Sequence, residues 1–95
     1  MSHAYFVGQI TVKDEDKWAQ YRHQVPETLA PWRAELMFRG KQPHTQANAS
    51  PHAHIVVIRF PSLADAEAWH LSSAYQALIP LREEAAEVVG TLYET

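Results

Sequence analysis

Along the chain, hydrophobic and polar positions alternate between the short period of a strand and the longer period of a helix, and each switch marks an element. The run AYFVGQITV, Ala4 to Val12, is β-branched and aromatic and predicts a strand. It leads directly into the acidic KDEDK, where Asp14 is the predicted N-cap and Glu15 and Asp16 put negative charge in the first helical turn. Trp18, Tyr21, Val25, Leu29 and Trp32 then recur at helical spacing and predict one buried stripe. Pro26 lies inside this helix and predicts a kink, and Pro31 predicts its end.

Two further strands are expected at Ala34 to Gly40, AELMFRG, and Ile55 to Phe60, IVVIRF. The polar stretch between them, KQPHTQANASPHAH, reads as a long hairpin connection with a mobile tip. Ser62 with Asp65 forms a capping box, and Leu63, Ala66 and Trp69 give the inner side of a short helix. Ser73 with Gln76 repeats that signal, so the helix is expected to break at the serine pair and restart. Tyr75, Leu78, Leu81, Arg82 and Ala85 share a face of the second piece, with Pro80 bending it or resetting its first turn, and Val88 to Tyr93 closes the chain as a strand.

The order βαββαβ, with the second helix broken, predicts an α+β fold. It is a ferredoxin-like sandwich in which both helices cover one face of a four-stranded antiparallel sheet. In the strand from Ile55, both alternating sets are apolar: Ile55 and Val57 against Val56, Ile58 and Phe60. The first strand likewise sets Phe6, Ile10 and Val12 against Tyr5 and Val7. A sheet with helices on one side only has no use for two apolar faces unless something covers the second. The simplest cover is another copy, so a two-fold homodimer through the sheet face is expected.

With 95 residues the chain is read as one domain, residues 1–95, small enough that a partner's buried area is useful. Eight Lys and Arg against 11 Asp and Glu give a formal charge of −3, which argues against a nucleic-acid partner. The absence of cysteine removes disulfides, thiolate metal sites and a cysteine nucleophile. The start lacks a basic n-region and no run suits a membrane span, so a cytoplasmic location is expected.

Tyr21, Pro26, Thr28, Arg39-Gly40, Phe60-Pro61-Ser62, Trp69, Ser72, Tyr75, Arg82 and Ala85-Ala86, in this order, resemble the family called domain of unknown function 1330. The resemblance covers nearly the whole chain. It implies the dimeric α/β-barrel fold, whose wider superfamily includes cofactor-free monooxygenases, muconolactone isomerases and stress-responsive proteins. The chain departs from the family pattern at Arg33-Ala34, where members usually carry glycines, at Arg59, where they carry an acid, and at His70, where they carry another aromatic.

Related barrels hold ligands between sheet and helices, which implies that Tyr21, Arg39, Trp69, Tyr75 and Arg82 line such a cleft. Two guanidiniums beside aromatic walls suit a small carboxylate or enolate. The competing reading makes Trp69 and Tyr75 core and gives both arginines structural partners. His70 is a candidate general base, against its reading as a surface histidine at a helix C-terminus. Of six histidines, His44, His52 and His54 are candidate metal ligands, although no carboxylate shares their stretch to complete a site. The serines are explained by capping, which leaves no hydrolase motif, and the 3 glycines form no phosphate loop. The expected function is binding of a small organic, anionic molecule, with cofactor-free oxygenase or isomerase chemistry needing neither metal nor flavin. The alternatives are a non-catalytic ligand-binding or stress-response protein and a histidine-based metal-binding dimer.

Overall fold

The computed structural model describes residues 2–44 and 50–95 of the chain. The tip of the expected mobile hairpin lies outside the described residues. Strand β1 (Ala4–Val12) gives way to helix α1 (Glu15–Leu29), capped by the Asp14 carboxylate, which accepts from the Lys17 amide at 3.0 Å. Pro26 sits on the exposed side of α1 without ending it. The helix tightens instead into a 3-10 turn, Ala30–Trp32, that contains Pro31. Arg33 follows at φ 53°, a left-handed conformation that glycine adopts at no steric cost, so the non-glycine residue here is a local departure from backbone preference.

Strands β2 (Glu35–Lys41) and β3 (His54–Phe60) pair antiparallel, and the base of their connection is clamped by Gln42. Its amide nitrogen donates to the Ala53 carbonyl at 2.8 Å, and its side chain donates to the carbonyls of Ser50 and His52. Then come α2 (Leu63–Leu71), α3 (Ser73–Gln76), α4 (Ile79–Ala85) and β4 (Ala86–Glu94). The strand order β2-β3-β1-β4, all antiparallel, is that of a ferredoxin-like α+β fold with the helices on one sheet face. No helix among the described residues is long and apolar enough to cross a membrane.

The helix breaks at the serine pair, but the capping residue differs from the expected one. Ser72, not Ser73, joins the two pieces. Its hydroxyl donates to the Trp69 carbonyl at 2.7 Å and accepts from the Tyr75 amide at 3.3 Å, so one side chain closes α2 and opens α3. Gln76 does not return to a cap: its side chain donates to the His70 carbonyl. Pro80 sits in the first turn of α4, where its missing N–H costs nothing.

Cross-strand register sorts the two sheet faces. Leu36, Ile58, Phe6 and Leu92 form one row toward the helices, and Arg39, Val56, Gly8 and Gly90 form the next. On the opposite face run Phe38, Val57, Val7 and Thr91, then Gly40, Ile55, Gln9 and Val89. A bulge at Met37 makes this sorting differ from simple alternation, because Leu36 pairs with Ile58 while Phe38 pairs with Val57. Beyond the bulge Phe38 is turned outward, 53% exposed, and Arg39 is turned toward the helices.

The core between sheet and helices is aromatic. Trp69, 2% exposed, meets Tyr75 at 4.1 Å between ring centroids, Phe60 at 5.4 Å and Phe6 edge-on at 5.7 Å. Its indole N–H needs an acceptor at that depth and finds the Thr28 hydroxyl at 3.0 Å, which itself donates to the Val25 carbonyl at 2.7 Å. Thr28→Val keeps the shape but leaves the indole N–H unpaired, so it should lower stability in urea unfolding by about 1–3 kcal/mol. Thr28→Ser, which keeps the hydroxyl, should lose much less; an unchanged midpoint for Thr28→Val would show that the relay is not stabilising.

Candidate functional site

A cleft of about 370 Å³ opens between the β1–β4 side of the sheet and helices α2 and α4. Phe6 and Gly90 supply its floor, Trp69 and Val88 its walls, and His70 and Arg82 its polar groups. The floor depends on a pair of glycines. Gly8 and Gly90 face each other across β1 and β4, and a Cβ at Gly90 would stand 2.9 Å from the Phe6 ring. The tip of the ring therefore lies against bare backbone at Gly90, where any side chain would collide with it.

Arg82 reaches the cleft from α4 and is held there by a buried chain of hydroxyls. Its guanidinium donates to the Tyr75 hydroxyl at 2.9 Å, and that hydroxyl is 2.9 Å from the hydroxyl of Tyr21. Each tyrosine is supported from behind: Tyr75 by the Trp69 ring, Tyr21 by Trp18 stacked at 5.2 Å. Burial, with the neighbouring Tyr75 adding to it, pushes the Tyr21 phenol well above the ordinary tyrosine value of 10.0, against the smaller opposing pull of Arg82 and Arg39. Tyr21 is thus a neutral hydrogen-bonding group over the whole physiological range. No ion pair joins Arg82 to a carboxylate among the described residues, although Lys17 with Glu84 and Arg59 with Glu35 are paired.

The residues singled out from the sequence fall into three groups. Trp69, His70 and Arg82 line one cleft, with Tyr75 and Tyr21 linked behind them by hydrogen bonds. His70 is exposed at the mouth, its ring centroid 5.8 Å from that of Tyr75. Arg39 does not line that cleft, but it lines a smaller cavity of about 30 Å³ together with Tyr21, Trp69, Phe6 and Val88. It stands on β2 at the other edge of the sheet, three strand spacings or about 14 Å from the β4 backbone, beside Arg22. The two guanidiniums thus line different depressions, Arg82 the cleft and Arg39 the smaller cavity, with Trp69 in the wall of both.

Among the described residues no group of three His, Cys, Asp or Glu side chains is placed to hold a metal ion. His52 is engaged otherwise, its Nδ1 lying 2.8 Å from the Thr11 hydroxyl. Phe6 and Gly90 are the site residues that the sequence reading missed. The available signal was a glycine in the middle of an otherwise apolar strand, which marks a close approach.

Comparison with solved structures finds the same fold at low sequence identity. SnoaB from Streptomyces nogalater, described as a cofactor-independent oxygenase, superposes with a TM-score of 0.71 at 6% identity over 98% of this chain and 92% of its own. The hydroxynitrile lyase of Passiflora edulis gives 0.73 at 15% over 99% and 93%. A dimeric ferredoxin-like protein of unknown function from Thermobifida fusca gives 0.67 at 12% over 99% and 92%. No protein of curated function matches the sequence. The family comparison is decisive where these are not: matching from residue 3 to residue 95, the chain belongs to the family described as "Domain of unknown function (DUF1330)".

Proposed function

We propose that this chain, as a cytoplasmic homodimer paired through its bare sheet face, binds a small organic anion in the cleft between β4 and helices α2 and α4. The observation that carries the reading is the Arg82 guanidinium, braced by Tyr75 and unpaired with any carboxylate among the described residues, facing a cleft with an aromatic floor. Arginine stays charged and offers a planar fork of donors, so a carboxylate or an enolate oxygen is the matching group. Phe6 and Trp69 would flank the ligand's apolar part. Arg39 has no place in this reading.

The same cleft is equipped for proton transfer. His70 at the mouth would take a proton from carbon beside a carbonyl, and Arg82 would stabilise the enolate oxygen that results. The description of SnoaB as a cofactor-independent oxygenase supports chemistry without metal or flavin on this fold, and that of the Passiflora protein as a hydroxynitrile lyase supports catalysis on it more generally. Tyr21 is excluded as the base by its raised pKa and serves to hold Tyr75.

The bare face supports the dimer. Phe38, Val57, Val7, Ile55, Val89 and Tyr93 share it, and Phe38 and Tyr93 are more than half exposed. An apolar sheet face of this kind is a common mark of an interface. The description of the Thermobifida relative as dimeric points the same way.

Benzoate is a suitable first probe for the cleft. It should raise the melting temperature of the untagged protein, and Arg82→Met should weaken the apparent affinity at least ten-fold with the fold retained by circular dichroism. Equal affinity in the two proteins would overturn the anion assignment. For the dimer, Val57→Asp should give a folded monomer in native mass spectrometry, whereas Ile58→Asp, on the buried side, should unfold; wild-type size and stability for Val57→Asp would sink the sheet-face interface.

The tyrosine chain predicts a pH dependence with a definite sign. Because Tyr21 titrates higher in the native state than in the unfolded state, the unfolded chain binds fewer protons above pH 10, and stability falls as pH rises beyond it. Below pH 10 the contribution is complete. Wild type should therefore lose about 1.4 kcal/mol per pH unit more than Tyr21→Phe above that point; parallel curves would mean that Tyr21 ionises freely.

A further inference from the structure

A second polar depression lies on the other side of the helical layer, and its residues take no part in the Arg82 cleft. Arg22 on α1 and Arg39 on β2 are 17 positions apart in sequence, yet both line the same two adjoining depressions. One, of about 190 Å³, also has Trp18, Ile10 and His54 in its wall; the other, of about 260 Å³, has His23. The Met37 bulge is what brings Arg39 there, since simple alternation from Leu36 would have pointed it to the bare face.

The charge pattern is the unusual part. The chain carries more acids than bases, 11 against 8, but no carboxylate lines either depression. Neither arginine forms an ion pair or a side-chain hydrogen bond among the described residues. Partial burial, and after it the charge of Arg22, hold Arg39 below the usual arginine value, while Tyr21 acts weakly in the other direction. Two like charges brought together from separate elements, with water partly removed and no acid supplied, are unfavourable in the free protein. An anion between them would reverse the sign of that interaction.

We propose that the notch between α1 and β2 is a second anion site, separate from the Arg82 cleft, whose ligand is a phosphate-type dianion: inorganic phosphate or a phosphate monoester. Two guanidinium forks match the charge of a dianion and can each donate two hydrogen bonds to a tetrahedral oxyanion. His54 and His23 add further polar groups at the rim. Arg22, Arg39, Trp18 and Ile10 approach the notch from the helix side, and Gly40 and Ile55, whose side chains belong to the bare face, border it at the sheet edge.

Inorganic phosphate and phenyl phosphate, titrated into the full-length protein at constant ionic strength, test the site. Phosphate should stabilise wild type saturably, as ligand binding to the native state requires, and shift the amide resonances of residues around Arg22 and Arg39. Arg22→Met and Arg39→Met, both at exposed positions where the apolar stem is kept, should each weaken it ten-fold or more while Arg82→Met leaves it unchanged. Tighter binding of phenyl phosphate would identify a monoester as the ligand class, and equal binding the free ion. The proposal is overturned if sodium chloride gives the same stabilisation, if the Arg22 and Arg39 variants bind as wild type does, or if binding disappears with Arg82→Met instead. Because benzoate binding depends on Arg82 and phosphate binding on Arg22 and Arg39, either reading can fail without the other.

Discussion

Trp69 is the side chain on which the helical layer is registered against the sheet. It is large, almost fully buried, and carries one polar atom that must be satisfied where no water reaches. Thr28 satisfies it from α1, Phe6 and Phe60 receive it from the sheet, and Tyr75 packs against it from α3. Four elements are thereby tied to one indole. The Trp69 carbonyl is bound too, by the Ser72 hydroxyl that turns the chain into α3. Without that turn Tyr75 would not come back beneath the ring, and without Tyr75 the Arg82 guanidinium would lose the hydroxyl that braces it.

Most of the fold was legible because it rests on local patterns. The strand at Ala4–Val12, the cap at Asp14, the cap at Ser62 and the closing strand follow from residue type and period, and the structure has them. The choice between Ser72 and Ser73 was not legible. Both stand three residues before a possible amide partner, and the spacing alone cannot choose. Burial of Tyr75 makes the choice, because only a cap at Ser72 starts the new turn early enough to place that ring against Trp69.

The bulge at Met37 was invisible for a different reason. ELMFRGK alternates no worse than its neighbours, and an extra residue in one strand is defined only by the partner strand that skips it. Its consequence is large, since every side chain after it changes face. Reading Leu36, Met37 and Phe38 as simple alternation places Arg39 on the bare side, and reading it from the family resemblance places it with Arg82. The structure turns it to the helix side at the β2 edge, against a small cavity that it shares with Tyr21 and Trp69. For the Arg82 cleft, the individual groups Trp69, His70 and Arg82 could be named from the sequence. The floor could not, because it is made by the fit of Phe6 over a glycine pair brought together from opposite ends of the chain.

The row that holds Arg39, Val56, Gly8 and Gly90 explains why the two basic sites stay apart. At its β4 end the residues are glycines, which open space under Arg82; at its β2 end Arg39 itself fills the edge beside Arg22. Between them Val56 and the aromatic residues Trp18, Tyr21 and Trp69 narrow the space to a cavity of about 30 Å³, with Tyr21 touching both electrostatic environments. A phenol kept neutral by burial is well suited to that position. It can hydrogen-bond Tyr75 without adding a negative charge that would pair with either guanidinium. Were Tyr21 a carboxylate, it would neutralise the cations that the two clefts present to solvent, and the most distinctive chemical feature of the helical layer would be spent inside the core.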